Sequence, residues 1–368
     1  MLQNNKVTRK CFVLGEGGTA QQIIAKAIPQ INKKAGTLDA FACRIIDTDL
    51  DSKNASILRP YFIGLNTLRA ELIRKNPKEF PEIANILRLE KIPPLTSTQG
   101  TGQFLSQGDL MFKATEKEII DNIRTAITPL ISGQLNQRLS EQGITLADER
   151  IYVFNIRSIA GGVGSSASGR FLSILKRELM TLLKNRQRYI LVDIIVRPEP
   201  YEHHVEDRQK IFSNAYASIH TLHEYYNSDL PIHKVKIGDD LDLEVEIGGE
   251  QVPDVTFLIS NRNLTGSTDA LRGSGMLSLE EVYDMVAQFL VLHQYSPMIS
   301  EFYDKYANSE HESKTKIRGQ QALFSGFGIL ELCFPVQKAK QWLAEELAAS
   351  VLKHLKGGEQ CLKELKSN

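Results

Sequence analysis

The sequence predicts an α/β fold: a doubly wound, mainly parallel sheet with helices on both faces. Three observations predict it. Short apolar runs alternate with amphipathic stretches through the first three-quarters of the chain, and several of these runs end in glycine-rich turns that open a helix. The first such unit, an apolar run at 11–14, a glycine turn, a helical stretch and a second apolar run at 40–46, has the form of a βαβ crossover.

The elements follow in order. The run 11–14 is stopped by Gly15, Gly17 and Gly18; residues 20–28 read as a helix that Pro29 ends or bends, and the run 40–46 closes on Asp47, Thr48 and Asp49. Helical material at 65–89 precedes a loop rich in Pro, Thr, Ser and Gly at 93–102, then a long amphipathic helix at 116–139 containing Pro129. A strand at 151–156 runs into Ala160-Gly161-Gly162-Val163-Gly164-Ser165-Ser166 and a helix at 171–183. A strand at 189–196 feeds Arg197-Pro198-Glu199-Pro200-Tyr201-Glu202 and a helix at 205–226. Residues 232–251 alternate and contain Gly248 and Gly249, the pattern of an inserted hairpin. A strand at 255–260 ends in Asn261, a helix covers 278–293, and a strand at 328–334 with a helix at 336–355 completes the chain.

Composition excludes several classes. Of the 368 residues, 42% are hydrophobic and 24% charged, which suits a globular protein with one large or two ordinary cores. The 44 basic and 44 acidic side chains cancel, leaving no global electrostatic case for nucleic acid or an anionic membrane. Cys11, Cys43, Cys333 and Cys361 form no C-x-x-C pair and suggest neither zinc nor a disulfide framework. His220 and His223 lie one helical turn apart, but no carboxylate or cysteine clearly completes a metal set, so they read as a solvated face. The polar, basic N-terminus carries no apolar targeting segment, and the run 189–196 is too short to span a bilayer, so the expected compartment is the cytoplasm.

In such a sheet, ligands bind outside the carboxyl ends of the strands, so every loop that follows a strand faces one crevice. Glycines there admit phosphate to the backbone, and helix N-termini supply N–H groups and partial positive charge. Alone, Gly15-Glu16-Gly17-Gly18-Thr19-Ala20 fits G-x-G-x-x-A, and Asp47 could hold a ribose hydroxyl, the pattern of an NAD-binding oxidoreductase. Such an enzyme has no particular use for the loops at Gly100 and Gly161.

Taken together, the loops over residues 10–350 resemble the tubulin/FtsZ superfamily, most nearly its divergent bacterial tubulin-like members. The resemblance implies a GTP/GDP site with room for Mg2+. Gly15, Gly17, Gly18, Thr19 and Gln21 correspond to the first nucleotide loop, and Asp47 and Asp49 to the second, which lies near phosphates and metal. Gly100, Thr101, Gly102 and Gln103, followed by Gly108, correspond to the segment facing the γ-phosphate. The signature G-G-G-T-G-[ST]-G appears as 160–166, with Gly161, Gly162, Gly164 and Ser165 kept. Val163 replaces the threonine, which removes a hydroxyl contact and bears on turnover more than on binding. Glu202 and Arg208, with Glu199 as the alternative, correspond to the ribose loop; Asn261 to the residue reading guanine; and Tyr283 could stack on the base.

Hydrolysis in this superfamily is completed by acidic residues of a neighbouring subunit. Glu301 and Asp304, spaced i and i+3, are the counterparts here, with Ile299 where an asparagine is usual. The implied function is head-to-tail self-association into filaments with slow GTP hydrolysis, or a non-hydrolysing nucleotide-dependent scaffold or switch. The expected division is a nucleotide-binding domain (1–277), a connecting central helix (278–293) and an abbreviated C-terminal α+β domain (294–368).

Overall fold

A parallel sheet buried on both faces needs near-continuous apolar strands, and the chain supplies them. The computed structural model describes residues 6–95, 104–166, 168–226, 233–237, 243–247, 253–261, 277–295, 316–317, 320–321 and 344–346. In chain order the described elements begin with β1 (Lys6–Glu16), α1 (Gly17–Ala35), β2 (Phe41–Asp47), α2 (Ala55–Leu58), β3 (Phe62–Gly64), α3 (Thr67–Lys75) and α4 (Pro81–Ile86). Then come α5 (Leu105–Ile131), α6 (Gln134–Glu141), β4 (Ile144–Ser158), α7 (Val163–Ser166), α8 (Ser168–Leu183), β5 (Tyr189–Val196) and α9 (Arg208–Tyr226). The rest are β6 (His233–Ile237), β7 (Leu243–Ile247), β8 (Val255–Ile259), α10 (Leu279–Tyr295), β9 (Lys316–Ile317) and β10 (Gln320–Gln321).

Six strands form one sheet in the order β3-β2-β1-β4-β5-β8, and every pairing is parallel. The order reverses between β1 and β4, the doubly wound arrangement expected from the sequence. Alternate residues separate the two faces: Phe12, Leu14, Ile151 and Val153 pack with α5 and α8 in the main core. On the other face α1 and α10 pack together, and Phe154 and Phe257 meet Phe289 of α10 edge to face. The β6–β7 pair is antiparallel, the hairpin read from alternation.

Several boundaries differ from the sequence reading, each for a local reason. β1 starts at Lys6 because its polar half is satisfied inside the protein. Arg9 donates to the His293 carbonyl (3.0 Å), Lys10 pairs with Glu149 (2.5 Å) and Thr8 accepts from Gln294 (2.8 Å). Pro29 does not end α1, which runs on to Ala35 and stops at Gly36 in the left-handed conformation, φ 78°. The helical stretch 65–89 divides into α3, capped by Asn66 accepting from the Arg69 amide, and α4, which starts at Pro81. The stretch 116–139 divides into α5 and α6 at Ser132-Gly133.

The chain separates into two compact units, Met1–Phe327 and Gly328–Asn368. In the second, residues 344–346 are described and are helical; the strand expected at 328–334 and most of the helix expected at 336–355 lie outside the described residues. No helix among the described residues is long and apolar enough to cross a membrane.

Candidate functional site

At the carboxyl ends of β1 and β4, where the strand order reverses, a cavity of about 470 Å3 opens. Its floor is Glu16, Gly17, Gly18 and Thr19, its wall the 160–164 loop, and Asp47, Tyr201 and Tyr283 border it.

The first loop is the β1–α1 turn. Gly17 has φ +78°, a conformation that side chains with a Cβ rarely adopt, and a Cβ there would lie 3.6 Å from the Gly164 amide nitrogen. The two glycine loops therefore pack against each other. No side chain caps α1 and its first turn holds no acidic residue, so its free N–H groups and positive dipole end are turned to the cavity.

The second glycine loop is held rigid from below and behind. Arg157 on β4 is fully buried and bonded to Asp193 on β5 (Nη2–Oδ2 2.7 Å, Nε–Oδ1 3.1 Å), and its Nη1 donates to the Gly164 carbonyl (3.2 Å). From α9, Asn214 donates to the Ala160 carbonyl (3.3 Å) and Ser218 to that of Ser165 (2.6 Å). The Ser165 hydroxyl donates to the Gly161 carbonyl. Gly108 of α5 backs the loop so tightly that a Cβ would fall 2.6 Å from the Gly162 carbonyl oxygen.

The loop after β2 is fastened to α1. Gln21 donates to Asp47 (2.7 Å) and to the Asp49 carbonyl (2.8 Å), and accepts from the Asp51 amide (2.8 Å). Burial pushes the Asp47 carboxyl up to about 6, against the Gln21 and Thr48 hydrogen bonds that lower it. The Tyr201 and Thr19 hydroxyls are hydrogen-bonded to each other at 2.5 Å, and burial raises the phenols of Tyr201 and Tyr283.

Of the residues expected at a nucleotide site, Gly17, Gly18, Thr19, Asp47, Gly161, Gly162, Val163, Gly164 and Tyr283 line this one cavity. Gly15, Gln21 and Ser165 are buried outside the lining, and Asp49 is exposed, its carbonyl accepting from Gln21. A Cβ on Gly15 would come within 2.7 Å of Ala20 and Ile24, so that glycine lets α1 approach the sheet. Glu202 is half-buried after the β5 loop, Arg208 is exposed at the start of α9, and Asn261 is buried at the end of β8 with its amide oxygen unpartnered. Glu199 is buried and paired with Arg197. Gly100, Thr101, Gly102, Gln103, Glu301 and Asp304 lie outside the described residues. His220 is exposed, with its ring beside Tyr216, and no group of three His, Cys, Asp or Glu side chains suited to a metal occurs among the described residues.

The sequence reading missed Glu16, Gln22, Thr48, Ser158, Tyr201, Val205 and Ile211 as lining residues. Glu16 occupies the variable position of the first glycine motif, and Tyr201 lies inside the ribose-like loop, so position was the available signal for both. The lining presents backbone amides, a free helix N-terminus and small hydroxyls, with the phenols of Tyr201 and Tyr283 beside Thr19, groups suited to an anionic ligand.

The family described as Tubulin like matches residues 12–353. Among solved structures, the chain is similar to a GTPγS-bound protofilament of CetZ2 from Haloferax volcanii, at 13% identity and TM-score 0.39, covering 77% of this chain and 56% of that one. It is similar to a GTPγS-form protofilament of TubZ from Bacillus thuringiensis serovar israelensis, at 12% identity and TM-score 0.39, covering 80% and 57%. It is also similar to TubZ of Clostridium botulinum phage c-st, at 13% identity and TM-score 0.32, covering 57% and 45%. The match thus spans about half the length of each of these proteins. Among curated proteins nothing matches the chain significantly.

Proposed function

The chain belongs to the tubulin-like family, and from that premise we propose that it binds GTP or GDP in the cavity between β1 and β4 and self-associates head to tail. The observation that carries this reading is the meeting of two glycine loops and the uncapped N-terminus of α1 at the switch point of the sheet. Gly17, Gly18, Thr19 and the 161–164 backbone are the phosphate-binding groups. Asp47 belongs with the phosphates and any accompanying Mg2+. Tyr283 is the base-stacking residue, Asn261 the guanine reader, and Glu202 with Arg208 the ribose and phosphate contacts. Residues 1–277 then form the nucleotide-binding domain, 278–293 the connecting helix and 294–368 a short C-terminal domain.

Bound nucleotide supplies a phosphoanhydride that water can cleave. Glu301 and Asp304 complete that chemistry on a neighbouring subunit's nucleotide. Val163 favours a second reading, a nucleotide-dependent scaffold that hydrolyses little or nothing. It is a buried apolar side chain in the cavity wall, where the family signature carries a hydroxyl.

Identifying the nucleotide that accompanies the purified protein tests both readings: the protein is denatured and the supernatant run on ion-exchange chromatography. GTP or GDP is expected. NAD in its place would make the first glycine turn a dinucleotide site, and an empty site that also fails to take up labelled GTP would overturn the proposal.

A further inference from the structure

The loop between β5 and α9 reaches the cavity with two residues, Tyr201 and Val205. Its acidic residues Glu199 and Glu202, and Arg208 that follows, are outside the lining, and Glu199 is paired with Arg197. Among the described residues, Tyr201 is therefore the polar side chain through which this loop can touch a ligand. It is half-buried rather than sealed.

The Tyr201 hydroxyl shares a 2.5 Å hydrogen bond with Thr19 Oγ1, and the hydroxyls of Ser158 and Tyr283 lie within its hydrogen-bonding reach. All four residues line the cavity. They come from four parts of the fold: Thr19 from α1, Ser158 from the end of β4, Tyr201 from the loop after β5 and Tyr283 from α10. A phenol oxygen has one donor and two acceptor positions, so the bond to Thr19 leaves it able to serve a ligand. Burial raises both phenols, which keeps them neutral O–H groups around neutral pH.

In the nucleotide reading above, the backbone amides of residues 17–19 hold phosphate and the Tyr283 ring holds the base. The Tyr201 hydroxyl stands between these two anchors, within reach of a hydroxyl on each. The part of a nucleotide that joins phosphate to base is its sugar. Resting on that reading, we propose that Tyr201 is a sugar-reading residue, its phenol oxygen accepting a hydrogen bond from the 2′- or 3′-hydroxyl of ribose, so that the site prefers a ribonucleotide to its deoxy analogue. The chemistry matches on both sides: a sugar hydroxyl is a neutral donor, and a neutral hydroxyl cluster meets it without a charge to desolvate. An analogue lacking that hydroxyl leaves the phenol short of its partner, and a site built to bond a hydroxyl discriminates against such a ligand.

The test is a titration of full-length wild type and Tyr201→Phe with GDP, 2′-deoxy-GDP and 3′-deoxy-GDP at fixed Mg2+. The variant keeps the ring and loses the oxygen. Any change it makes to Thr19 or to packing acts on all three ligands alike and cancels from the affinity ratios. Wild type should bind GDP about three- to tenfold more tightly than one of the deoxy analogues. In Tyr201→Phe that ratio should fall to about one, because GDP weakens and the analogue does not. Equal affinity of wild type for all three ligands overturns the assignment without recourse to a variant. So does a preference for GDP that Tyr201→Phe retains, which would give the sugar to another residue. So does a variant that weakens all three alike, which would make the phenol a support for Thr19. If wild type binds no GDP while circular dichroism is normal, the nucleotide reading itself falls and this assignment with it.

Discussion

At the scale of single residues, the glycines of the first loop look alike in the sequence and differ in the structure. A methyl group on Gly15 would strike Ala20 and Ile24 at 2.7 Å, whereas one on Gly18 or Gly161 meets nothing within 4 Å. Gly15→Ala should therefore overpack the strand–helix contact and cost about 1–3 kcal/mol of stability. Gly18→Ala and Gly161→Ala should leave thermal unfolding within about 0.5 kcal/mol of wild type, since the added carbon meets no protein atom, and on the proposed reading should weaken labelled-GTP binding at least tenfold. Undiminished affinity in both of these variants would remove the two loops from the phosphate site. The spacing of these glycines was legible because backbone approach leaves a compositional trace. Which glycine serves packing was not, since that depends on how closely α1 lies on β1. Glu16 was illegible for a related reason: a carboxyl in a glycine loop reads as solvated until the sheet is seen to bury it.

At the scale of elements, the α1 helix does more than present its N-terminus. Gln21 on its second turn ties down the loop after β2 through three hydrogen bonds of 2.7–2.8 Å, and so fixes where Asp47 stands. Gln21→Ala should cost about 1–3 kcal/mol, since a buried carboxyl loses its strongest donor. It should also raise the Asp47 carboxyl above its value of about 6, because the Gln21 hydrogen bond lowers it. The direct measurement is hydrogen exchange at the Asp51 amide, which donates to Gln21 Oε1 at 2.8 Å; protection as strong as in wild type would show that the loop holds itself. The sequence motif places Gln21 near phosphate, while the folded chain puts it behind the carboxylate. Element ends marked by a breaker, at Pro81 and Gly133, were nonetheless read through, because the apolar pattern continues across both. The start of β1 was illegible, since its polar half (Thr8, Arg9 and Lys10) is buried only because α10 and β4 supply partners from distant sequence.

At the scale of the whole molecule, strand–helix alternation made the parallel sheet predictable, but the order β3-β2-β1-β4-β5-β8 rests on pairings no local pattern encodes. That order brings loops some 140 residues apart in sequence, at Gly17 and Gly161, to one cavity. The same logic extends beyond one subunit in the proposed mechanism, where Glu301 and Asp304 act on a neighbour's nucleotide rather than their own. A site completed by association has a specific activity that rises with protein concentration; a self-contained site does not. Phosphate release per subunit should therefore increase as wild-type protein is concentrated, and the double change Glu301→Ala, Asp304→Ala should abolish the increase while GTP binding by the isolated subunit persists. Hydrolysis that is present but flat with concentration would rule out a shared site, and a double mutant that hydrolyses like wild type would make these carboxylates surface charges. Complete absence of hydrolysis in wild type, with nucleotide still bound, would favour the scaffold. Val163 supplies the physical reason, since an apolar wall cannot replace the hydroxyl contact that the threonine of the family signature makes.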